Sequence, residues 1–346
     1  MVRQWYADGA AWLFEDKRAL HGTALARILA GCSVLGILTT NFRVREMMFG
    51  QASVWNLPLQ KQAEFWPPHI VEHMGNSVFT VYYLGVMLLA VLFILGWHTR
   101  LIGPLMLIGH VSLIERISIL GDQGDNILRV GVFLLCFMHT SEFWSLDARR
   151  RARTTPAPRP RSIVGIVKDL YNSQFVWPRW FSNAIHNLAL AMLGFQLILI
   201  YISAGMFKVQ GPLWQHGTAI YYPMQLQEYK PFPFLTNLMT HYGVMIGLAT
   251  YVVVFTQLYF PVLLLRTFTR RLAISLVIIF HLSIAVLMAL PWFSLSMIGF
   301  DAIWVSSGTL MALDRWLGGM LRPLKDLFWD LVDPVADKFR KTPVTP

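Results

Sequence analysis

Lys208 closes an apolar run, Trp180 to Phe207, that holds no Asp, Glu, Lys or Arg, and a Gly211-Pro212 turn then leads to Trp214, Gly217, Tyr221 and Tyr222. A dry pocket disfavours the ammonium form of a lysine, and the neutral amine is a base. The plainer use of a lysine at the end of a membrane helix is as an anchor that snorkels to the interface. His281 lies within another apolar run, where it serves either helix-to-helix hydrogen bonding or a reaction. Asp122, Asp125 and Asn126 belong to the segment GDQGDN, as turn and cap residues on one reading and substrate contacts on the other. That segment lacks the further oxygen ligands calcium needs, and no paired cysteines at zinc spacing occur, so no metal is expected. Trp214, Tyr221 and Tyr222 are interface-belt residues unless their loop folds back over Lys208.

The elements that must carry these residues are membrane spans. The chain has 346 residues, 55% of them hydrophobic and 14% charged, which is too apolar for a soluble domain of this size. A span needs about 17–25 mostly apolar residues. Ala24–Thr40, Val78–Trp97, Leu101–Leu120, Asn126–Phe143, Asn187–Phe207 and Gly243–Leu265 qualify. Leu272–Leu313 reads as two further spans separated at Pro291. The expected fold class is an all-α polytopic membrane protein, a bundle of about eight transmembrane helices with interfacial amphipathic helices beside it.

The basic residues orient that bundle. Lys17 and Arg18, Arg100, the series Arg149 to Arg161, Arg266 to Arg271, and Arg315 onward all fall on one side of an eight-span chain. By the positive-inside rule that side is cytoplasmic, with Arg43 and Arg45 as a minor exception. Both termini are then cytoplasmic, and the protein is a multi-pass component of the cell membrane. The net charge of +10 is explained by arginines facing anionic lipid headgroups, and no nucleic-acid partner is expected. Cys32 and Cys136 fall inside spans and read as packing residues. The first twenty residues, with Trp5, Tyr6, Asp8, Trp12, Glu15 and Asp16, suit a membrane-surface segment rather than a cleavable signal peptide. Arg149–Arg161 is a Pro/Arg linker, and Leu321–Val332 has the spacing of an amphipathic helix on the inner surface. Residues 1–313 are therefore one transmembrane domain and 314–346 a cytoplasmic tail.

In order along the chain stand LARILAG, GWHTRL, GDN with WSLD, YISAGMFKVQGPLWQHGTAIYY and FHLSIAVLMALPWFSLSMIGF. In that order and spacing the chain resembles the HTTM family, the multi-span membrane domain related to vitamin K-dependent γ-carboxylase. The resemblance implies that Lys208 is the base toward a vitamin K-like quinol and that His281 matches a histidine of the family's late helix. It also implies that the loop folds over Lys208, so that Trp214 and Gly217 shape a pocket rim. The sequence departs from the carboxylase at Gly124-Asp125-Asn126, where the carboxylase has a histidine that works with the lysine. It also reads as one amphipathic helix after Leu313, where the carboxylase carries large extracytoplasmic portions, so carboxylation of a protein substrate is not part of the expectation.

Two functions remain open at this level. In the first, a γ-carboxylase-like, quinol-dependent lyase or oxidoreductase, Lys208 abstracts a proton from a membrane-dissolved quinol or lipid in an outward-opening pocket. His281 with Asp125 or Asn126 orients the substrate and stabilises the oxyanion, and Trp214, Gly217 and Tyr221 contribute to binding. In the second, the chain is a non-catalytic membrane factor for maturation, export or assembly of a secreted peptide or membrane complex.

Overall fold

A computed structural model describes residues 2–53, 70–153 and 177–320. Among these, 81% are helical and none is in a strand. The amphipathic tail expected at Leu321–Val332, most of the Pro/Arg linker, and Trp55, Trp66 and His69 of the outer segment lie outside the described residues. The helices are α1 (Val2–Phe14), α2 (Leu20–Thr40), α3 (Asn76–Leu95), α4 (Thr99–Ile114), α5 (Gln123–Leu135) and α6 (Leu146–Arg153), then α7 (Arg179–Gln210), α8 (Pro233–His241), α9 (Gly243–Leu258), α10 (Thr267–Leu287) and α11 (Pro291–Asp301). All belong to one compact unit, Met1–Val305; a second unit begins at Ser306 and includes a helix over 307–320.

By length and composition α2, α3, α7 and α10 can each cross a membrane, and α8 with α9, bent by 93° at Tyr242, makes a fifth candidate if the pair is one span. The other expected spans are shorter helices. Leu101–Leu120 becomes α4, with Pro104 inside it, followed by a 3-10 stretch kinked at Ile117. Asn126–Phe143 becomes the 13 residues of α5. The run after His281 does break before Pro291, with Ala289 at φ 54 in the turn, but α11 has 11 residues and ends in a 3-10 turn at Ala302–Trp304.

Small residues place α2 at the centre. Gly36 lies flat against the Trp292 ring, where a Cβ would come within 2.3 Å of it, and Gly22 sits on the Ala302 carbonyl. Close backbone approach of this kind is how membrane helices gain contact without a hydrophobic driving force between them. Arg27, in the middle of α2, is fully buried and forms no salt bridge among the described residues. Its guanidinium donates to the carbonyls of Phe93 and Ile94 at 2.6 Å, Trp144 at 2.7 Å and Thr140 at 3.1 Å. These are last-turn acceptors of α3, where the Phe93 carbonyl also accepts from the Gly96 amide at 3.1 Å, and carbonyls of the chain after α5. Gly96 follows α3 with φ 68, and a Cβ there would strike Ser145 and the Arg27 guanidinium, so glycine is required twice over. Nearby, Asp147 caps α4 by accepting from the His98 and Thr99 amides, both at 2.9 Å.

The 32-residue α7 is about 48 Å long, more than a bilayer core needs, and its two ends do different work. Near its start, the Asn187 amide donates to the carbonyls of Trp12, Leu13 and Asp16, and Asn183 to those of Phe14 and Glu15. This closes the end of α1 and holds it with Trp5 and Tyr6 exposed. The other end of α7 carries Lys208.

Candidate functional site

Lys208 occupies the last turn of α7, two turns beyond Tyr201 on the same helix face. Its side chain bends back along its own helix, Nζ lying 3.5 Å from the Ala204 carbonyl. Gly211 and Pro212 reverse the chain into a short helical turn, Pro212–Gln215, which brings the Trp214 ring to 5.2 Å from Nζ, within cation–π range. The loop does fold over the lysine, which is half-buried. Gly217, buried at φ 71, lets the chain turn under the Tyr251 ring, and the Tyr251 hydroxyl donates to the Gln215 carbonyl at 2.8 Å. Gly217 thus shapes the loop and clamps it to α9. Tyr221 stacks edge-on against Tyr222 and is 41% exposed.

His281 is buried in α10 and lies within electrostatic range of Lys208. It belongs to a polar group whose members lie far apart along the chain. The Tyr201 hydroxyl donates to Asp301 Oδ2 at 2.5 Å and lies 3.4 Å from His281 Nε2. Tyr201, Asp301 and His281 are all at most 2% exposed. With Asp301 ionised, the phenol proton points at the carboxylate and the phenol oxygen accepts from Nε2–H, a long bond beside a short, charge-assisted one. His281 Nδ1 then carries no proton. It and Asp301 Oδ1 are buried side-chain atoms with no hydrogen-bond partner among the described residues. In this arrangement His281 is an acceptor, suited to a ligand hydroxyl and not to the oxyanion the sequence reading assigned to it.

Asp125 and Asn126 are occupied locally. Asp122 and Asp125 form a reciprocal capping box at the start of α5, Asp122 Oδ1 accepting from the Gly124 and Asp125 amides and Asp125 Oδ2 from the Asp122 amide. Asn126 accepts from Arg129, which also pairs with Glu115. These residues approach the site only through packing: Gly124 abuts Phe293, whose ring is 5.5 Å from that of His281. Lys208, Trp214 and Gly217 are therefore gathered at one end of α7, and Asp125 and Asn126 are engaged at the start of α5. No group of His, Cys, Asp and Glu suited to a metal occurs among the described residues.

Beyond Trp214 lies a cavity of about 480 Å³ between the bent pair α8–α9, α10 and the loop after α7. Its wall includes Met224, Ile246, Val253 and Phe280 and is overwhelmingly apolar; neither Lys208 nor His281 contributes to it. No family model, curated protein or solved structure matches the chain.

Proposed function

We propose that the chain is a polytopic protein of the cell membrane, with about eight spans and cytoplasmic termini, in which Lys208 takes a proton from a quinol-like or lipid substrate dissolved in the bilayer. The observation that carries this reading is the half-buried Lys208 amine, covered by Trp214. A lysine used only as an anchor would extend to water or headgroups, whereas this one turns back toward its own helix. A quinol fits the residues present, since one of its two hydroxyls can donate to the unpaired His281 Nδ1. The neutral lysine amine would accept the proton of the second hydroxyl, while the first, donating to His281 Nδ1, holds the ring in place. This keeps the resemblance to the HTTM family as the source of the reaction class, lyase or oxidoreductase.

The test uses the full chain in lipid nanodiscs supplied with menaquinol, with oxygen consumption followed against protein-free discs. Deprotonation speeds the reaction of a hydroquinone with oxygen, so the wild-type protein should raise the rate. Lys208→Arg keeps the charge of an anchor and removes the base, and should lower the protein-dependent rate by about a hundredfold or more. Equal rates in the two proteins would remove the enzyme reading and leave the non-catalytic maturation or assembly factor.

A further inference from the structure

The cavity behind Trp214 holds a feature that the Lys208 chemistry does not use. Gln257, on α9, is part of its wall and 5% exposed, and its Oε1 is a buried acceptor with no partner among the described residues. The other polar side chains of the wall are Thr256 and Ser283, and Ser283 is satisfied by its own helix, donating to the Ile279 carbonyl at 2.8 Å. No charged residue lines the cavity. Its volume is that of a small-molecule site, and such sites are apolar with a few placed polar groups.

Each of these facts restricts the ligand. An uncharged wall excludes a phosphate or carboxylate head, since a charge there would be buried without a counter-ion. The apolar lining asks for an aliphatic or isoprenoid body. A lone amide oxygen without a donor is costly to leave bare and asks for an O–H. We infer that the cavity is a binding site for a long-chain neutral alcohol whose hydroxyl donates to Gln257 Oε1. The site goes beyond the proposed proton abstraction, because neither Lys208 nor His281 lines it.

A diazirine-bearing hexadecanol, photolysed with the full chain in nanodiscs, tests the inference. Crosslinks should fall on peptides of α9 and α10, and unlabelled hexadecanol should compete about three- to tenfold better than hexadecane, the worth of one net hydrogen bond. Gln257→Leu should abolish that preference, Ala249→Trp should fill the cavity and suppress labelling, and Lys208→Arg should label as the wild type does. Equal competition by hexadecane and hexadecanol on the unmodified protein would overturn the inference, with no dependence on any variant folding. Crosslinks confined to other helices would overturn it as well. Loss of activity in Lys208→Arg bears on the proton chemistry alone, so the two readings fail separately.

Discussion

A tyrosine hydroxyl between a carboxylate and an imidazole has one proton to give, and where it gives it fixes the tautomer of the histidine. With Asp301 ionised, the contacts of Tyr201 with Asp301 and His281 call for Nε2–H and a bare Nδ1 on His281. In nanodiscs, histidine-selective ¹⁵N NMR with His281→Gln for assignment should show Nε2 protonated and Nδ1 not. A protonated Nδ1 would mean that Asp301 carries the proton and that the chain of bonds runs the other way. Tyr201→Phe should cost about 1–3 kcal/mol of stability, because it leaves a buried carboxylate short of a donor. His98, outside the membrane, gives a pH prediction. Burial and then the Arg150 charge lower its pKa below 6.5, and neutral Nε2 accepts from Arg150 at 2.9 Å. The folded pKa is depressed, so this stability is present above the unfolded value and lost as pH falls through the folded one. Thermal midpoints should drop on acidification from neutral pH, and His98→Gln should flatten part of that drop; an unchanged profile would show that His98 does not couple to folding. What the sequence made legible here followed sequence distance. Lys208 and Trp214 are joined by one turn, and a Gly-Pro pair announces that turn. Tyr201 meets His281 and Asp301 across 80 and 100 residues, and which helix faces meet over such separations is set by packing. The one signal for Asp301 was a charge inside an apolar run, which demanded a partner without naming it.

At the scale of elements, uninterrupted apolar runs were the readable ones. Val78–Trp97 has no charge and became α3 almost residue for residue. Leu101–Leu120 carries charges near its end, and there the helix stops early: α4 ends at Ile114, and Glu115 begins a 3-10 stretch and pairs with Arg129. Arg27 shows why the count of charges inside spans was a poor guide to their partners. Five donors on a rigid fork satisfy backbone carbonyls that no carboxylate can. Arg27→Met should therefore destabilise the bundle by several kcal/mol, since it bares acceptors at the end of α3 and after α5 in a dry interior. The loss should appear as aggregation during size exclusion or a lower thermal midpoint in detergent. Retained stability would mean that water reaches those carbonyls. A separate element prediction concerns α1. Replacing Asn183 and Asn187 by Ala should free its carboxyl end and open the Phe14–Asp16 region to limited proteolysis, with the remaining helices intact.

For the whole molecule, the deciding question is which side of the membrane each loop occupies, because a base at the end of α7 meets different substrates and water on the two sides. The long helix α7 separates the arginine-rich chain before it from the loop that holds Trp214. Arg149, Arg150, Arg151 and Arg153 precede it, and cations close to a span favour the cytoplasmic side. On the proposed topology, one crossing later, the Trp214 loop is outside. The same assignment puts α1, joined to the start of α7 by Asn183 and Asn187, on the cytoplasmic surface, where exposed Trp5 and Tyr6 can enter the headgroup layer. In a background lacking Cys32 and Cys136, a cysteine at Gln215 should react with an impermeant maleimide in intact cells. A cysteine at Thr155 should react only after the membrane is opened. Both positions labelling from outside would mean that α7 does not separate the two loops. The reverse pattern would place Lys208 at the cytoplasmic interface, beside the soluble proton pool, and would remove the outward-opening pocket from the proposed chemistry.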